Sequence, residues 1–538
     1  MNKKYDFIII GGGSSGIVTA SQIIEKLNAT VLIIEEGPSD WHPLIKMPAG
    51  VINFLEKEKF VKHYKTIPQK QLNGRSHHIT QASILGGGSS INGMVYMRGR
   101  PSDYDEWSDS TKEKNWSYQS MLPYFKLVED NNRLFDENHG IGGDLKVSDS
   151  KDTCELTKIY VKTMQAMGHP YNPDFNSGNQ RGVGYMQFTI DQGVRCNVTK
   201  AFLSNNKFKK FLTISTKSKA TKIIFKNDKA IGVEFYKNKI KNTVFANNEI
   251  ILTAGSFNSP KLLMLSGIGN EEELKKHSIE KVFISEGVGQ NLQDHHEVSV
   301  ISKTKPGYGY FGQDKGLKML KNIFQYLLFK EGPAATIGCD GCTFLNPDKT
   351  IKDYTEEPSI KLYCVPKVQL DKNVKDIGQF EGITLNSVLM RPKSRGEIKL
   401  KSSDPYDMPL LNPNYLNHED DKRLQISAFK YSREILNTKP LNDIVINEVF
   451  PGEKVKTDED ILNHCKKSIK TNWHPVGTCK MGTNEDINAV CDTNLRVKGV
   501  RGLRIFDASS FPNLVAGNTN APVIAFALKA VTELINEY

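Results

Sequence analysis

Asp6-Phe7-Ile8-Ile9-Ile10-Gly11-Gly12-Gly13-Ser14-Ser15-Gly16 is the stretch whose reading decides the fold. Asp6–Ile10 reads as a short buried strand, and it runs straight into glycines. Ile17–Leu27 has helical patterning, and Val31–Ile34 reads as a second strand ending at Glu35. The unit is strand–turn–helix–strand with Gly-x-Gly-x-x-Gly at the turn. Gly11 permits the tight turn, Gly13 lets a pyrophosphate approach bare backbone, and Gly16 lets the helix pack closely on the sheet. The helix N-terminus, at Ser14 and Ser15, offers free N–H groups and partial positive charge to phosphates. Glu35 lies 19 residues past Gly16, where an acid holds ribose hydroxyls. Glycine-rich turns are common, but here strand, helix, second strand and acid are all in place. The motif marks a dinucleotide site and does not separate FAD from NAD.

Composition sets the bounds. The 538 residues can fill two or more packed cores. A hydrophobic content of 38% and a charged content of 25% are those of a soluble globular protein. The net charge of +10 is spread along Lys/Asn-rich polar segments, with no basic block of the kind a nucleic-acid tail carries. The eight cysteines are scattered, and Cys339 and Cys342 form the one close pair. They lack a second pair at zinc spacing, so neither a metal site nor a disulfide framework is expected. Met1–Lys4 leads directly into the first strand, which predicts a cytoplasmic protein with no signal peptide. No run of about 18 apolar residues is present, so no membrane span is expected.

Further along, Ile84-Leu85-Gly86-Gly87-Gly88-Ser89-Ser90-Ile91-Asn92-Gly93 places small hydrogen-bonding residues between apolar runs. Such a loop suits close contact with a large flat cofactor. Tyr118–Glu129 and Cys154–Met167 have helical patterning, and Gln180–Lys200 reads as a connection. Residues 211–253 hold five short strand-like runs. After them a helix is expected from Asn258 or Ser259, with Pro260 in its first turn. Lys318–Lys330 is an apolar helix with lysines; packing on a core is preferred over contact with a membrane surface. Asn472-Trp473-His474-Pro475-Val476-Gly477 is the sharpest local motif, because Pro475 and Gly477 fix an irregular backbone that can aim a side chain. Leu503–Asp507 returns to the sheet, and the loop Gly517-Asn518-Thr519-Asn520 opens a final helix, Val523–Leu534.

These stretches resemble, in order, the signatures of the GMC (glucose–methanol–choline) oxidoreductase family. The resemblance runs from the opening motif through Ile84–Gly99, Gly255–Gly269 and Gly287–His295, and from Arg391 to the end. It implies an α/β fold: a Rossmann-type FAD-binding domain roofed by a substrate domain on an antiparallel sheet. The expected organisation is an N-terminal FAD region over 5–300, a variable substrate segment over 301–390, and a C-terminal region over 391–535. His474 and Asn518 are the implied catalytic pair. The implied FAD contacts are Gly11, Gly13, Ser14, Ser15, Gly16, Glu35, Gly86, Gly87, Ser90, Asn92, Gly93, Thr221, Gly255, Asp507 and Ala508. Some members attach the flavin through a histidine where this chain has Ile91, so FAD is expected to be non-covalent. Choline-using members place a glutamate near Asp340, which could pair with a cationic head or be an exposed loop aspartate. The resemblance implies oxidation of a primary alcohol, choline-like or other, to its aldehyde, with electrons passed to a quinone-type acceptor. An oxygen-using oxidase and an FAD-containing hydroxynitrile lyase remain as alternatives. Peripheral contact with the inner membrane is a further expectation.

Overall fold

The computed structural model describes residues 3–53, 57–204, 208–348, 356–370, 374 and 376–538. Five parallel strands lie side by side in the order 212–215, 31–34, 4–10, 240–252 and 503–505. Phe7, Ile8, Ile9, Val31 and Ile33 are fully buried. A sheet covered on both faces needs such continuous apolar runs rather than alternation. The helix Ser14–Leu27 packs against the final helix, Asn520–Ile535. It stops at Asn28, whose left-handed backbone (φ 50°) asparagine tolerates well.

The second sheet is antiparallel throughout. Its order is 445–450, 296–304, 382–389, 360–365, 341–345 and 182–185. The strand Ile360–Val365 shows how it is built. Ile360, Leu362 and Cys364 enter a core shared with the helices Glu155–Ala166 and Glu419–Leu436. Lys361, Tyr363 and Val365 point the other way, into a cavity between the two sheets. This is the period-two alternation of a strand with two different faces. The block 5–300 supplies strands to both sheets, as does 391–535, whereas 301–390 supplies the antiparallel sheet alone.

Three local expectations are corrected. Gln180–Lys200 is not a plain connection: it carries Gly182–Tyr185, three two-residue strands and the start of a short helix. Two of the five expected runs are one strand, Ile240–Leu252, whose first half pairs antiparallel with 229–237 and whose last residues pair parallel with 503–505. The helix Gly316–Phe329 is not packed apolar side inward. Leu317, Phe324, Leu328 and Phe329 are at least 64% exposed, while Asn322 and Tyr326 are the buried residues. Asn322 donates to the Gln313 carbonyl at 2.9 Å, which seats the polar side of the helix inward.

Candidate active site

The parallel strands end together: Ile10 is in register with Ile34 and Leu252, and Leu252 with Ile505. The residues after these ends, Gly11, Glu35, Thr253 and Asp507, line a cavity of about 530 Å³ that continues to the antiparallel sheet. Ligands of open α/β sheets bind at this carboxyl edge.

The glycines of the opening motif divide the work. A Cβ on Gly11 would lie 2.3 Å from the Thr253 carbonyl oxygen, and one on Gly16 would lie 2.1 Å from the Gly11 oxygen. Both glycines are fixed by packing, and Gly16 does not itself line the cavity. A Cβ on Gly13 would meet nothing closer than Gly87 Cα at 3.9 Å, so that side is open. Gly13 caps its helix without a side-chain hydrogen bond, and no acid occupies the first turn. The N–H groups at Ser14 and Ser15 therefore face the cavity with the positive end of a 14-residue helix, a cradle for phosphate. The second helix N-terminus at the cavity, Thr519–Asn520, also lacks a capping side chain and an acid.

Glu35 lines this end, and both its oxygens are also engaged by the chain: Oε2 accepts from Gly12 N at 2.8 Å and Oε1 from Gly37 N at 2.6 Å. Burial pushes its carboxyl up to about 7. It thus holds the turn as well as facing the ligand. Gly87 and Gly93 line the cavity, as does Asn92, whose Oδ1 accepts from Arg195 Nη1 at 2.8 Å. Ser90 and Gly86 do not line it. Ser90 Oγ donates to the Leu85 carbonyl at 2.8 Å, and Gly86 N donates to the Gly12 carbonyl at 2.7 Å, so both hold the loop from behind.

Gly255 N donates to Asp507 Oδ2 at 2.8 Å, and Ser259 Oγ donates to the same oxygen at 2.6 Å. That tie joins the two chain segments, and Gly255, Asp507 and Ala508 all line the cavity. The helix here starts at Gly255, earlier than expected, with Pro260 inside it. The proline cannot bond the Ser256 carbonyl, and Thr478 Oγ1 donates to that oxygen at 2.7 Å instead. Thr221, an implied cofactor contact, does not itself line the cavity. The strand register shifts between Ala220 and Lys222, and the Thr221 hydroxyl donates to the Glu234 carbonyl at 3.3 Å. Ser218, Lys219 and Ala220 line the cavity in its place. Sequence reasoning also missed Glu36, which pairs with Lys62 and with Lys219 at this end.

The chemical end is built around His474. Trp473 adopts a left-handed backbone (φ 62°) and Gly477 another (φ 88°), the irregularity that Pro475 and Gly477 predict. Asp294 Oδ1 accepts from His474 N at 2.8 Å and fixes the turn. His474 Nε2 lies 3.2 Å from Asn518 Nδ2, so the two implied catalytic residues meet. On its other side, His474 Nδ1 lies 2.9 Å from His295 Nδ1, and His295 Nε2 lies 2.9 Å from the Met390 carbonyl.

One chain of donors satisfies all these contacts. A carbonyl only accepts, so His295 carries its proton on Nε2 and presents Nδ1 as an acceptor. His474 must then carry its proton on Nδ1, which leaves Nε2 with a free lone pair. Asn518 donates to that lone pair through Nδ2, so its Oδ1 is free to accept, and Lys361 Nζ lies 3.0 Å from it. Burial, then His295, then Lys361 hold the His474 imidazolium pKa well below the usual 6.5, and burial pulls His295 down to about 3. His474 is neutral, with Nε2 ready to take a proton. His295 and Lys361 were not singled out from sequence. The alternation in Ile360–Val365 could have pointed to Lys361; nothing local marks His295.

Asp340 does not reach this end of the cavity. It is buried and accepts from Thr336 Oγ1 at 3.0 Å, so neither an exposed loop aspartate nor a partner for a cationic head is found. Cys339 lines the cavity, Cys342 is buried, and both are free thiols.

A dinucleotide cradle joined to a neutral histidine–asparagine pair defines a nucleotide-dependent oxidoreductase. The chain belongs to the GMC oxidoreductase family, which matches over residues 5–297 and 392–527. It is 36% identical to an alcohol dehydrogenase [acceptor] of Pseudomonas putida over 99% of this chain and 96% of that protein. It is equally 36% identical to an oxygen-dependent choline dehydrogenase of Brucella anthropi, over 98% of this chain and 95% of that protein. Its fold matches pyridoxine 4-oxidase from Mesorbium loti (TM-score 0.90, 27% identity, 99% of each chain). It also matches Aspergillus oryzae formate oxidase (TM-score 0.92, 26% identity, 100% of this chain and 99% of that one). The cofactor is FAD, and the open Gly13–Gly87 cradle and uncapped helix N-terminus fit its pyrophosphate.

Proposed function

We infer that this protein oxidises a primary alcohol to its aldehyde. The observation that carries the reading is His474 Nε2 meeting Asn518 Nδ2 across 3.2 Å at the end of the FAD cavity, where the donor chain leaves that nitrogen without a proton. When bound, FAD supplies the two-electron acceptor for a hydride from the carbinol carbon. The chain does the rest. An alcohol hydroxyl bonds His474 Nε2 in place of the Asn518 amide and gives it the proton as the C–H bond breaks. Asn518 Nδ2 turns to the alcohol oxygen and orients it without adding charge. Ile91 lines the cavity at the loop and has no group that could form a bond to the ring, which supports non-covalent FAD. Anaerobic addition of primary alcohols to the yellow holoenzyme should bleach the flavin and yield aldehyde; a flavin that no alcohol reduces would overturn the reading.

Electrons then pass to a quinone-type acceptor; one relative is named for an unspecified acceptor and the other as oxygen-dependent, so reoxidation is what decides between the two. Among the described residues no helix is long and apolar enough to cross a membrane. Contact with the inner membrane surface would instead use Gly316–Phe329. Its exposed Leu317, Leu320, Phe324, Leu327 and Leu328 are accompanied by Lys315, Lys318, Lys321 and Lys330, which complement anionic lipid. Flotation with vesicles containing anionic lipid should carry the wild type upward and leave a Leu320→Glu/Phe324→Glu variant behind. A self-associating face would give a concentration-dependent oligomer and no flotation, which rules the lipid assignment out. Reoxidation by a quinone analogue should far outpace reoxidation by oxygen; stoichiometric peroxide at a comparable rate would make the protein an oxidase.

A further inference from the structure

The catalytic end of the cavity carries the wrong charge for a cationic alcohol. Lys361 is 5% exposed, lines the cavity, and has its Nζ 3.0 Å from Asn518 Oδ1, one residue from the reacting oxygen. Lys367, six residues further on and just past the end of the strand, also lines it. Among the described residues, the carboxylates lining the cavity are Glu35, Glu36 and Asp507, which lie at the dinucleotide end and are engaged there by backbone N–H groups, lysines or serine. Glu297 shares the face of Lys361, since both are in register with Val388 on the strand between them. That puts it two strand spacings away, roughly 10 Å. It is also already occupied: Lys470 Nζ lies 3.0 Å from Oε1, the Tyr363 hydroxyl donates to Oε2 at 2.5 Å, and Asn472 donates to the same oxygen.

Two aromatic faces beside Lys361, of the kind that hold a quaternary ammonium, are also taken; Trp473 lines the cavity as well and is 40% exposed. The Lys361 ammonium lies 5.8 Å from the Phe344 ring centroid and 5.9 Å from that of Tyr363. At these two rings the protein's own cation stands where a substrate cation would be held.

We propose that Lys361 selects an alcohol bearing an anionic group, a short hydroxycarboxylate being the simplest member, and discriminates against choline-like cations. This rests on the reading of the site as an alcohol oxidation centre. With the hydroxyl on His474 and Asn518, the carboxylate reaches Lys361 Nζ, which retains donors beyond the one bonded to Asn518. A charge-assisted hydrogen bond of this kind corresponds to roughly 10- to 100-fold in kcat/KM.

The test compares three alcohols of matched length on FAD-loaded protein: 3-hydroxypropionate, 3-hydroxypropionamide and choline. Anaerobic stopped-flow reduction should rank them in that order in the wild type. In Lys361→Met the preference for 3-hydroxypropionate over the amide should fall by roughly 10-fold or more, and Lys361→Arg should keep it. The ratio within one variant is the readout, so a general slowing from a released Asn518 amide divides out. A parallel titration follows the flavin absorbance of the oxidised protein with acetate and with tetramethylammonium, which cannot be oxidised. Acetate should perturb it in the wild type and not in Lys361→Met. Choline reduced as fast as 3-hydroxypropionate, or a preference unchanged by Lys361→Met, would overturn the proposal. Acetate binding unaffected by Lys361→Met would overturn it as well. If the neutral amide reduces the flavin while charge makes no difference, only the charge selection fails. If no alcohol reduces the flavin, the alcohol-oxidation reading fails, and acetate binding still decides whether Lys361 holds an anion.

Discussion

His295 does no chemistry, yet the donor chain makes the proton position on His474 depend on it. Replacing it with leucine removes the acceptor 2.9 Å from His474 Nδ1 and leaves that N–H buried without a partner. The cost of such an orphaned group is about 1–3 kcal/mol. His474 can escape it by moving its proton to Nε2, where the N–H meets the alcohol and can no longer accept. The fraction of enzyme with a competent base falls by the same free energy, roughly 5- to 150-fold. His295→Gln tests the explanation, because its amide can accept from His474 through Oε1 and donate to Met390 through Nε2. The limiting rate of anaerobic flavin reduction, normalised to bound flavin, should therefore drop about 5- to 150-fold in His295→Leu and no more than about 3-fold in His295→Gln. Equal losses in the two variants would mean that packing, and not the tautomer, matters. A His295→Leu rate within twofold of the wild type would refute the donor chain.

Three other outcomes follow from the same geometry. Gly13→Ala should fold with thermal stability close to the wild type but lose FAD, because its Cβ enters open space above Gly87, whereas Gly16→Ala drives a Cβ into the Gly11 carbonyl and should lower stability itself; apoprotein melting and flavin content separate the two. His474→Ala should slow reduction by about 10²–10⁴-fold with FAD still bound, and because the His474 imidazolium pKa lies well below 6.5 in the folded protein, the wild-type reduction rate should show no break between pH 6 and 8. Stability should fall on both sides of neutrality. His295 (about 3), His77 (about 3) and His464 (about 4) have lowered values, so the native state binds fewer protons than the unfolded chain, and their contribution is lost as pH falls below about 6.5. His139, raised to about 9 by Asp174 and Glu129 against the opposing effect of burial, contributes below about 6.5 and is lost as pH rises through 9. Chemical denaturation across pH 4–10 checks both edges, and His139→Gln should flatten the alkaline one alone.

The sequence by itself determined what is local or periodic. The opening strand, glycine turn, helix and second strand are consecutive, and each needs only its neighbours to be recognised. The irregular turn at His474 announced itself through Pro475 and Gly477 for the same reason. Tertiary structure decided whatever depends on segments far apart in the chain. The proton on His474 is set by the Met390 carbonyl through His295, residues brought together by sheet pairing and invisible to any local pattern. Thr221 sits at a register shift between Ala220 and Lys222, and only the partner strand fixes which face its side chain takes. The helix Gly316–Phe329 reads as amphipathic either way, but only its seat on Gln313 and Lys46 shows that the apolar side faces outward. Lys361 looked like one lysine among many; sheet alternation and the approach of the Asn518 loop made it a buried cation beside the reacting centre. Sequence encodes the elements and their faces, while the charge and protonation of a site belong to groups that meet only after folding.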